Sequence, residues 1–373
     1  MSTPVLYHLN AFPPQTLLWE QLIPLIGRAN AGLARYDGLL SAIPNASVLL
    51  SPLTTQEAVL SSRIEGTQAT MGEVLELEAG GEPTGLSEPK LGDVEEILNY
   101  RHAMHRAVQA LEELPLSQRL LKDTHATLLR GVRGQSSDPG NYRRIENWIG
   151  PKRCSRDEAS FVPIGPELLS DAMGRWERYL HEEALDALVQ LAIVHVEFEA
   201  LHPFLDGNGR LGRMLIPLFL FDKKLLSGPH FYVSAYFEAH REEYYERLRR
   251  VSSHGDWTGW CAFFLRALSE QALENERKAR SILSLYASVK TQMVKITHSQ
   301  HSVRATDFLF EMPIFNAPDF MAKSEIPKAT AMRILSLLRN EGLLGTLREG
   351  KGGRSGIFAF RQLLNIAEGR EVI

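Results

Sequence analysis

The segment that most constrains the fold lies at residues 202–213, which read HPFLDGNGRLGR. It follows an apolar stretch at 191–201, LAIVHVEFEAL, that is predicted to be helical. Pro203 has no backbone N–H and biases His202 toward extended geometry, so this helix must end there. Helical spacing resumes at about residue 208. The segment therefore predicts a helix, a tight loop and a second helix.

Helical periodicity runs from residue 15 to about residue 290 and predicts an all-α fold for most of the chain. Asp93 and Glu96 have the spacing of a capping box, so a helix is expected to begin there and run through Leu111. Other helices are predicted at about 15–31, 117–131, 166–183, 184–200, 208–222, 238–253 and 256–285. Two short segments within 144–163 flank a polar turn and predict a hairpin. Residues 1–14 are rich in proline and irregular in pattern, and they are expected to form an ordered arm or a frayed start.

A run rich in glycine and proline at 80–89 predicts a domain boundary near residue 90. The helical pattern changes again toward the C-terminus. We therefore expect an N-terminal helical segment at 1–90, a helical central domain at 91–290 and a C-terminal domain at 291–373.

The C-terminal domain has the predicted element order of a winged helix. Its elements are helices at 302–311, 319–323 and 327–340, the last with Pro327 at its first position, and strands at 343–347 and 357–360. Helix, helix, turn, helix and hairpin is the order of the winged helix, a relative of the helix-turn-helix. Residues 301–373 carry ten Lys and Arg against eight Asp and Glu, about +2 by subtraction, which is a weak charge for duplex binding.

The overall charge does not favour nucleic acid or an anionic membrane as a partner, because 41 Lys and Arg face 45 Asp and Glu. The two cysteines, Cys154 and Cys261, lack the spacing of a zinc site or a disulfide framework. No signal peptide is recognised, and no run approaches the ~18–20 apolar residues of a membrane span. A cytoplasmic protein with no membrane partner is expected.

The residue types in 202–213 are those that hold phosphates beside a base. Glycines at 207 and 209 permit positive φ, and the start of the following helix directs N–H groups toward an anion. Arg210 and Arg213 lie on neighbouring turns, where they can clamp outer phosphates. Asp206 is suited to Mg²⁺, which bridges phosphate oxygens, and His202 can accept a proton near neutral pH.

Three other interpretations of this segment are open. GNGRLG at 207–212 satisfies the dinucleotide pattern GxGxxG, but no strand is predicted before it. DGNGR imitates the beginning of a calcium loop, although Arg210 stands where a ligand is needed. A simple glycine-rich turn before a solvated helix would not explain why histidine and two arginines converge there.

The segment 202–213 also resembles the HxFx[DE]GNGRxxR pattern of the Fic family of protein adenylyltransferases, which have a helical core. The resemblance implies transfer of AMP from ATP to a Ser, Thr or Tyr hydroxyl of a target protein. It also implies a role for each position of the motif: His202 as base, Phe204 as core anchor, Asp206 as Mg²⁺ ligand, Gly207, Asn208 and Gly209 as phosphate cradle, and Arg210 and Arg213 on the outer phosphates.

A second motif lies at 61–66, SSRIEG, and resembles the inhibitory [ST]xxxE[GN] motif of many Fic proteins. Its positions are Ser61, Glu65 and Gly66. Glu65 is expected in the last turn of a helix, where the dipole disfavours an anion unless a cation is near. The resemblance implies that Glu65 pairs with Arg213 and restrains ATP in an unproductive pose. In some relatives the same glutamate orients a water that removes AMP, and the sequence does not separate the two roles.

The resemblance extends to the target and to the purine. The hairpin at 147–163 resembles the family's flap, whose sheet edge aligns the target's main chain, although a purely structural hairpin is also open. Tyr236 is expected either to contact adenine or to pack in the core. Self-AMPylation and a homo-oligomer are also expected.

The winged helix has three candidate uses. It could bind duplex through the helix at 327–340 with Lys351 and Arg354 of the wing, mediate dimerisation, or dock the target protein. Protein contact is favoured over nucleic acid because the charge is low. The alternatives to AMP transfer are de-AMPylation, transfer of another phosphate-linked group, and a DNA-binding regulator.

Overall fold

A computed structural model describes residues 3–43, 45–80, 87–132, 136–151, 154–350 and 355–371 of the protein. The fold is mostly helical, as predicted. The α-helices, in chain order, are α1 (Trp19–Ser41), α2 (Ala46–Leu49), α3 (Ser51–Ile64), α4 (Met71–Glu78), α5 (Glu88–Leu111), α6 (Gln118–Leu128), α7 (Pro166–His181), α8 (Ala187–Leu201), α9 (Asn208–Asp222), α10 (Ser234–Ala239), α11 (Arg241–His254), α12 (Trp257–Thr297), α13 (Ser302–Glu311), α14 (Ala317–Ser324), α15 (Lys328–Asn340) and α16 (Arg361–Glu368). The strands are β1 (Val5–Leu6), β2 (Phe161–Val162), β3 (Ile314–Asn316), β4 (Gly345–Arg348) and β5 (Ile357–Ala359).

The chain forms two compact units, each assembled from separate segments. The first comprises the described residues of Met1–Asp37, Leu60–Gly66 and Asn99–Leu273, and the second those of Gly38–Val59, Thr67–Leu98 and Glu274–Ile373. None of the helices in the described parts of the chain has the length and apolarity needed to cross a membrane.

Helix α8 is the centre of the first unit because it is apolar around almost its whole circumference. It packs between α7 and α9, and the indoles of Trp176 and Trp260 donate hydrogen bonds to two of its carbonyl oxygens. Asp186 caps its first turn, since its Oδ1 accepts from the amides of Leu188 and Val189 at 3.0 and 2.9 Å. This central helix carries the residues that lead directly into His202.

The N-terminal arm is ordered, which is one of the two alternatives expected for residues 1–14, but its strand was not predicted. Strand β1 pairs in parallel with β2, so Val5 lies opposite Phe161. On its other edge Phe161 forms an antiparallel bridge with Ile149, and residues 152 and 153 of the predicted hairpin turn lie outside the described residues. The arm was not predicted as a strand because two residues carry too little pattern and its partner lies far along the chain.

Glu197 of α8 holds this arm in place through contacts with two of its side chains. Its carboxylate is fully buried and accepts from the Tyr7 hydroxyl at 2.6 Å, while its other oxygen lies 2.8 Å from Nε2 of His8. Burying a carboxylate is costly unless hydrogen bonds replace water, so these two contacts explain how it is tolerated.

The second unit contains a three-stranded antiparallel sheet in the order β3-β5-β4. Helices α13, α14 and α15 precede β4 and β5 along the chain, with β3 between α13 and α14. Phe308, Phe315 and Phe320 contact one another through their rings and form part of the core of this unit. Strand β3 was not predicted, and residues 351–354 of the predicted wing lie outside the described residues.

Several predicted helix limits are wrong. The helix expected at 15–31 runs from Trp19 to Ser41, and the one expected at 238–253 is divided between α10 and α11. Helix α5 begins at Glu88, because Asp93 does not cap it: its Oδ2 accepts from the amide of Gln68 at 2.7 Å. Helix α12 continues to Thr297, well past residue 285. Of the glycine- and proline-rich run before α5, residues 81–86 lie outside the described residues.

Candidate active site

The loop that joins α8 to α9 begins at His202. Its backbone is left-handed, with φ 47° and ψ 60°, and its amide still donates to the Phe198 carbonyl at 3.1 Å. The extended geometry expected before Pro203 is therefore wrong, because a left-handed residue closes the helix while keeping its last hydrogen bond. Gly207 is also left-handed, with φ 78°, and α9 begins at the next residue.

Asn208 closes the loop on itself. Its side-chain oxygen accepts from the Phe204 amide and its side-chain nitrogen donates to the Phe204 carbonyl, each at 2.8 Å. Phe204 is fully buried and stacks on the ring of His125 with centroids 3.8 Å apart. The Asn208 side chain therefore shapes the loop, which leaves the first N–H groups of α9 to attract an anion.

Asp206 and Arg210 lie side by side at the start of α9. Asp206 Oδ1 accepts from the Gly207 amide at 2.6 Å and lies 3.5 Å from Nη2 of Arg210. The Asp206 side chain is 44% exposed, whereas Arg210 is buried. Within the described residues, no group of three or more His, Cys, Asp or Glu is arranged to hold a metal ion.

Two residues that the sequence did not single out hold this loop in place, and the first is His125 of α6. Its Nδ1 accepts from the Gly140 amide at 2.9 Å, so Nε2 must carry the proton that is donated to the Asp206 carbonyl at 2.8 Å. Burial lowers the pKa of His125 to about 4, which keeps the ring neutral and preserves this tautomer.

The second is Arg143, whose buried guanidinium donates to several main-chain carbonyls. Its Nε donates to His202 at 2.9 Å, and its Nη2 donates to Leu201 at 3.3 Å and also to Ile164. The Arg143 amide adds a bond to the Pro203 carbonyl at 2.9 Å. A single arginine or histidine has no spacing signal in a sequence, so neither role was predictable.

His202 has the protonation state that a base needs. Burial lowers the pKa of its imidazole to about 4, although the negative charge of Glu65 opposes the shift. The ring is therefore neutral at pH 7, and its Nδ1 is buried without a hydrogen-bond partner. A neutral imidazole with an unused nitrogen can accept a proton from a hydroxyl.

Arg213 is bound by the second motif. Its Nη2 donates to Glu65 Oε1 at 2.7 Å and to the Ser61 carbonyl at 2.9 Å, and its Nε donates to Ser61 Oγ at 2.9 Å. Only 1% of the Arg213 side chain is exposed, against 37% of Glu65. The ion pair expected between Glu65 and Arg213 is thus present, and Gly66 follows with φ 100°.

The Glu65 carboxylate also lies against the start of α9. A Cβ placed on Gly209 would collide with Glu65 Oε1 and would lie 3.0 Å from Arg213 Nη1. Burial alone would raise the pKa of Glu65, but Arg213, with smaller effects of Arg210 and His202, lowers it. The carboxylate is therefore held as an anion against the start of α9.

A cavity of about 650 Å³ opens beside these residues. The cavity is lined by residues of both motifs and by others from the flanking segments, among them Glu65, Glu199, His202, Gly209, Arg213, Ile149, Phe161, Arg241, Tyr244, Tyr245 and Arg249. Tyr236 is not among the residues that line it and instead stacks on His240 with centroids 4.1 Å apart.

The chain is similar to known proteins in both sequence and structure. The family model described as Fic/DOC family N-terminal matches residues 23–109, and that described as Fic/DOC family matches residues 115–220. A probable protein adenylyltransferase of Aquifex aeolicus (strain VF5) is 28% identical over 183 residues, covering 48% of this chain and 51% of the relative. The protein adenylyltransferase Fic of Drosophila grimshawi is 28% identical over 213 residues, covering 54% and 39%. The chain thus spans about half, or less, of the length of these relatives.

Solved structures share the fold. A Fic family protein from Desulfovibrio desulfuricans G20 aligns with a TM-score of 0.58 at 20% identity, over 93% of this chain and 98% of that one. A Fic domain containing signalling protein from Bacteroides thetaiotaomicron VPI-5482 aligns with a TM-score of 0.51 at 18% identity, over 71% and 97%.

Proposed function

The chain belongs to the Fic/DOC family, and on that premise we propose that it is a protein adenylyltransferase. It would transfer AMP from ATP to a Ser, Thr or Tyr hydroxyl of a target protein. The observation that carries the proposal is a neutral His202, with an unused Nδ1, on a cavity that it shares with Gly209 and Arg213. Both curated relatives described above are named as adenylyltransferases.

The reaction uses the chain's own groups in defined roles. His202 accepts the proton of the target hydroxyl, whose oxygen forms a bond to the α-phosphorus of ATP. The bond from that phosphorus to the bridging oxygen of the β-phosphate breaks, and pyrophosphate leaves. Gly207 shapes the turn before α9, and the N–H groups of Asn208 and Gly209 at the start of that helix stabilise the phosphate oxygens, while Arg210 and Arg213 hold the outer phosphates.

Asp206 fits the role of a Mg²⁺ ligand. It offers a hard oxygen donor, and its side chain is 44% exposed at the start of α9. Magnesium is usually held by one or two carboxylates together with substrate phosphates, so a single carboxylate suffices. The ion would neutralise phosphate charge.

Glu65 keeps the enzyme restrained in this proposal. It holds Arg213 and covers Gly209, so the outer phosphates cannot take their place on that arginine. Because Glu65 lines the cavity, a water there could reach its carboxylate, as the removal of AMP from a modified target would require. Removal of AMP is therefore the second candidate function.

The test is mass spectrometry of the purified protein after incubation with ATP and Mg²⁺. The Glu65→Gly variant should add the mass of AMP to its own hydroxyl side chains or to a target faster than the wild type does. The same variant with His202→Ala added should show no adduct. An unchanged or lower rate for Glu65→Gly would contradict the restraint, and an adduct without His202 would contradict the proposed base.

Other parts of the chain receive proposed roles that follow from the same premise. The 147–163 segment would act as the flap, with the main chain near Ile149 as its edge, and Tyr236 would either contact adenine or pack in the core. Domain limits near residues 90 and 290, a cytoplasmic location and a homo-oligomer are likewise proposed.

The C-terminal region is proposed to be a winged helix, supported by the order α13, β3, α14, α15, β4, β5. Its proposed use is contact with the target or with a second copy of the chain. DNA binding through Lys328 and Arg333 of α15 remains the lesser use because the region carries little net positive charge.

A further inference from the structure

Glu199 is a carboxyl group in the candidate active site to which neither motif assigns a role. It lies in the last turn of α8, three residues before His202, and lines the cavity. Its side chain is 11% exposed, and Oε1 is buried without a hydrogen-bond partner. A Cβ on Gly212 would collide with this oxygen, so the carboxyl group is packed directly against α9.

The titratable and charged groups around Glu199 lie on α8, α9 and α11, at the start of the loop after α8 and in the residue that follows α3. They are His195, His202, Arg213, Tyr244, Tyr245 and Glu65.

His195 does not neutralise Glu199, although its Nε2 lies 4.0 Å away. Its Nδ1 lies 3.0 Å from the Gly212 carbonyl, which can only accept, so Nδ1 carries the proton. Nε2 must then accept from the Tyr244 hydroxyl at 3.0 Å. Burial lowers the pKa of His195 to about 3, so neither the imidazole nor the tyrosine proton is available to Glu199.

Arg213 is therefore the cation that Glu199 must share with Glu65. The hydrogen bonds of Arg213 go to Ser61 and Glu65, so Glu199 interacts with it through charge alone. An ionised carboxylate that is buried without hydrogen bonds is costly, and a second anion beside it raises that cost. Burial raises the pKa of Glu199 to about 7, with Arg213 lowering it and Glu65 raising it.

We propose that Glu199 is a proton-linked counter-charge for Arg213, which binds a proton more readily when Glu65 or a nucleotide phosphate faces that arginine than when neither does. This inference rests on the proposed function and adds a regulation of the same site. Displacement of Glu65 alone would release a proton from Glu199, and arrival of a phosphate would return one. Glu199 is a positioning residue, because it acts on the nucleotide only through Arg213.

The sign of the pH effect follows from this linkage. In the Glu65→Gly protein, the pKa of Glu199 should be higher with bound nucleotide than without it, because the phosphate is a nearby anion. At a pH between these two pKa values, nucleotide binding is therefore accompanied by uptake of a proton. The affinity for ATP is then highest at a pH low enough for Glu199 to be protonated in both the free and the nucleotide-bound protein, and it falls as the pH rises. The fall amounts to about tenfold for each unit by which phosphate raises that pKa.

The experiment measures ATP affinity by calorimetry with saturating Mg²⁺, from about pH 6 to about pH 8, on either side of the expected transition. The parent is Glu65→Gly, and the test protein carries Glu199→Gln in addition. The parent should lose affinity for ATP as the pH rises, whereas the test protein should keep, over the whole range, the affinity that it has at the lowest pH. Glu242→Gln, which removes another carboxylate from the cavity wall, is the matched control and should keep the slope of the parent.

The outcomes separate the inference from the proposed function. The role of Glu199 is overturned if the ATP affinity of the test protein changes with pH as steeply as that of the parent, or if the test protein binds more weakly than the parent by the same factor at every pH. Either result leaves the proposed function standing. No ATP uptake by the parent at any pH contradicts the proposed function and the inference with it. Should Glu199→Gln fail to fold, binding to the parent is repeated at about pH 7 in buffers of different ionisation enthalpy. Proton uptake supports the inference, and zero exchange or release overturns it.

Discussion

At the scale of single residues, the site depends on side chains that fix backbone groups as much as on those that face the cavity. His125 joins the Asp206 carbonyl to the Gly140 amide, and Arg143 joins the end of α8 to the residues that follow it. The sequence identified His202, Glu65 and Arg213 because a short motif specifies them. It did not identify His125 and Arg143, because their contacts lie up to 81 residues away and have no spacing signature.

Replacement of His125 tests this positioning role. In His125→Phe the ring can still stack on Phe204, but the Asp206 carbonyl and the Gly140 amide lose their partner. We predict a loss of about 1–3 kcal/mol in the free energy of unfolding, measured with chemical denaturant, together with weaker ATP binding in the Glu65→Gly background. His105→Phe, at an exposed histidine of α5, is the control and should change neither quantity. Equal behaviour of the two variants would mean that stacking alone holds the loop.

At the scale of elements, the positions of most helices were predicted, but several of their limits and the contacts between distant segments were not. Helix α9 begins and ends at the predicted residues 208 and 222, because glycines and a sustained apolar pattern mark it. Helix α5 begins five residues before the predicted Asp93, whose carboxylate binds Gln68 instead. Strand β1 was missed because its partner is 156 residues away in the chain.

The anchoring of β1 by Glu197 gives a prediction for this element. Tyr7→Phe removes the hydroxyl that donates to the buried carboxylate at 2.6 Å, so β1 should open more often. We expect faster hydrogen–deuterium exchange at the amides of Val5 and Tyr7, which donate to Ser160 and Val162. Tyr245→Phe removes only a long hydrogen bond of 3.4 Å and should leave exchange in β1 unchanged. Unchanged exchange in Tyr7→Phe would show that strand pairing alone holds the arm.

At the scale of the whole molecule, buried neutral histidines couple stability to pH. The pKa values of His125, His202 and His230 are lowered to about 4 and that of His195 to about 3, in each case chiefly by burial. An unfolded histidine titrates near 6.5, so between these values the unfolded chain binds more protons than the folded one. Acid therefore favours unfolding.

We predict that the denaturant midpoint is highest near neutral pH and falls as the pH drops from about 6.5 toward about 4. Each histidine contributes up to about 1.4 kcal/mol per unit of pKa difference. All four lie in the first compact unit, so hydrogen exchange should rise there first. A midpoint that stays constant across this range would contradict the burial of these rings in the neutral form.

In the proposed mechanism, Arg213 and the start of α9 hold ATP beside His202 once Glu65 no longer occupies that place. A crystal structure of Glu65→Gly with Mg²⁺ and a non-hydrolysable ATP analogue tests it most directly. We predict an outer phosphate bound to Arg213, the α-phosphate on the amides at the start of α9, and His202 facing the α-phosphorus. An analogue bound elsewhere, or with its α-phosphate out of reach of His202, would contradict the account.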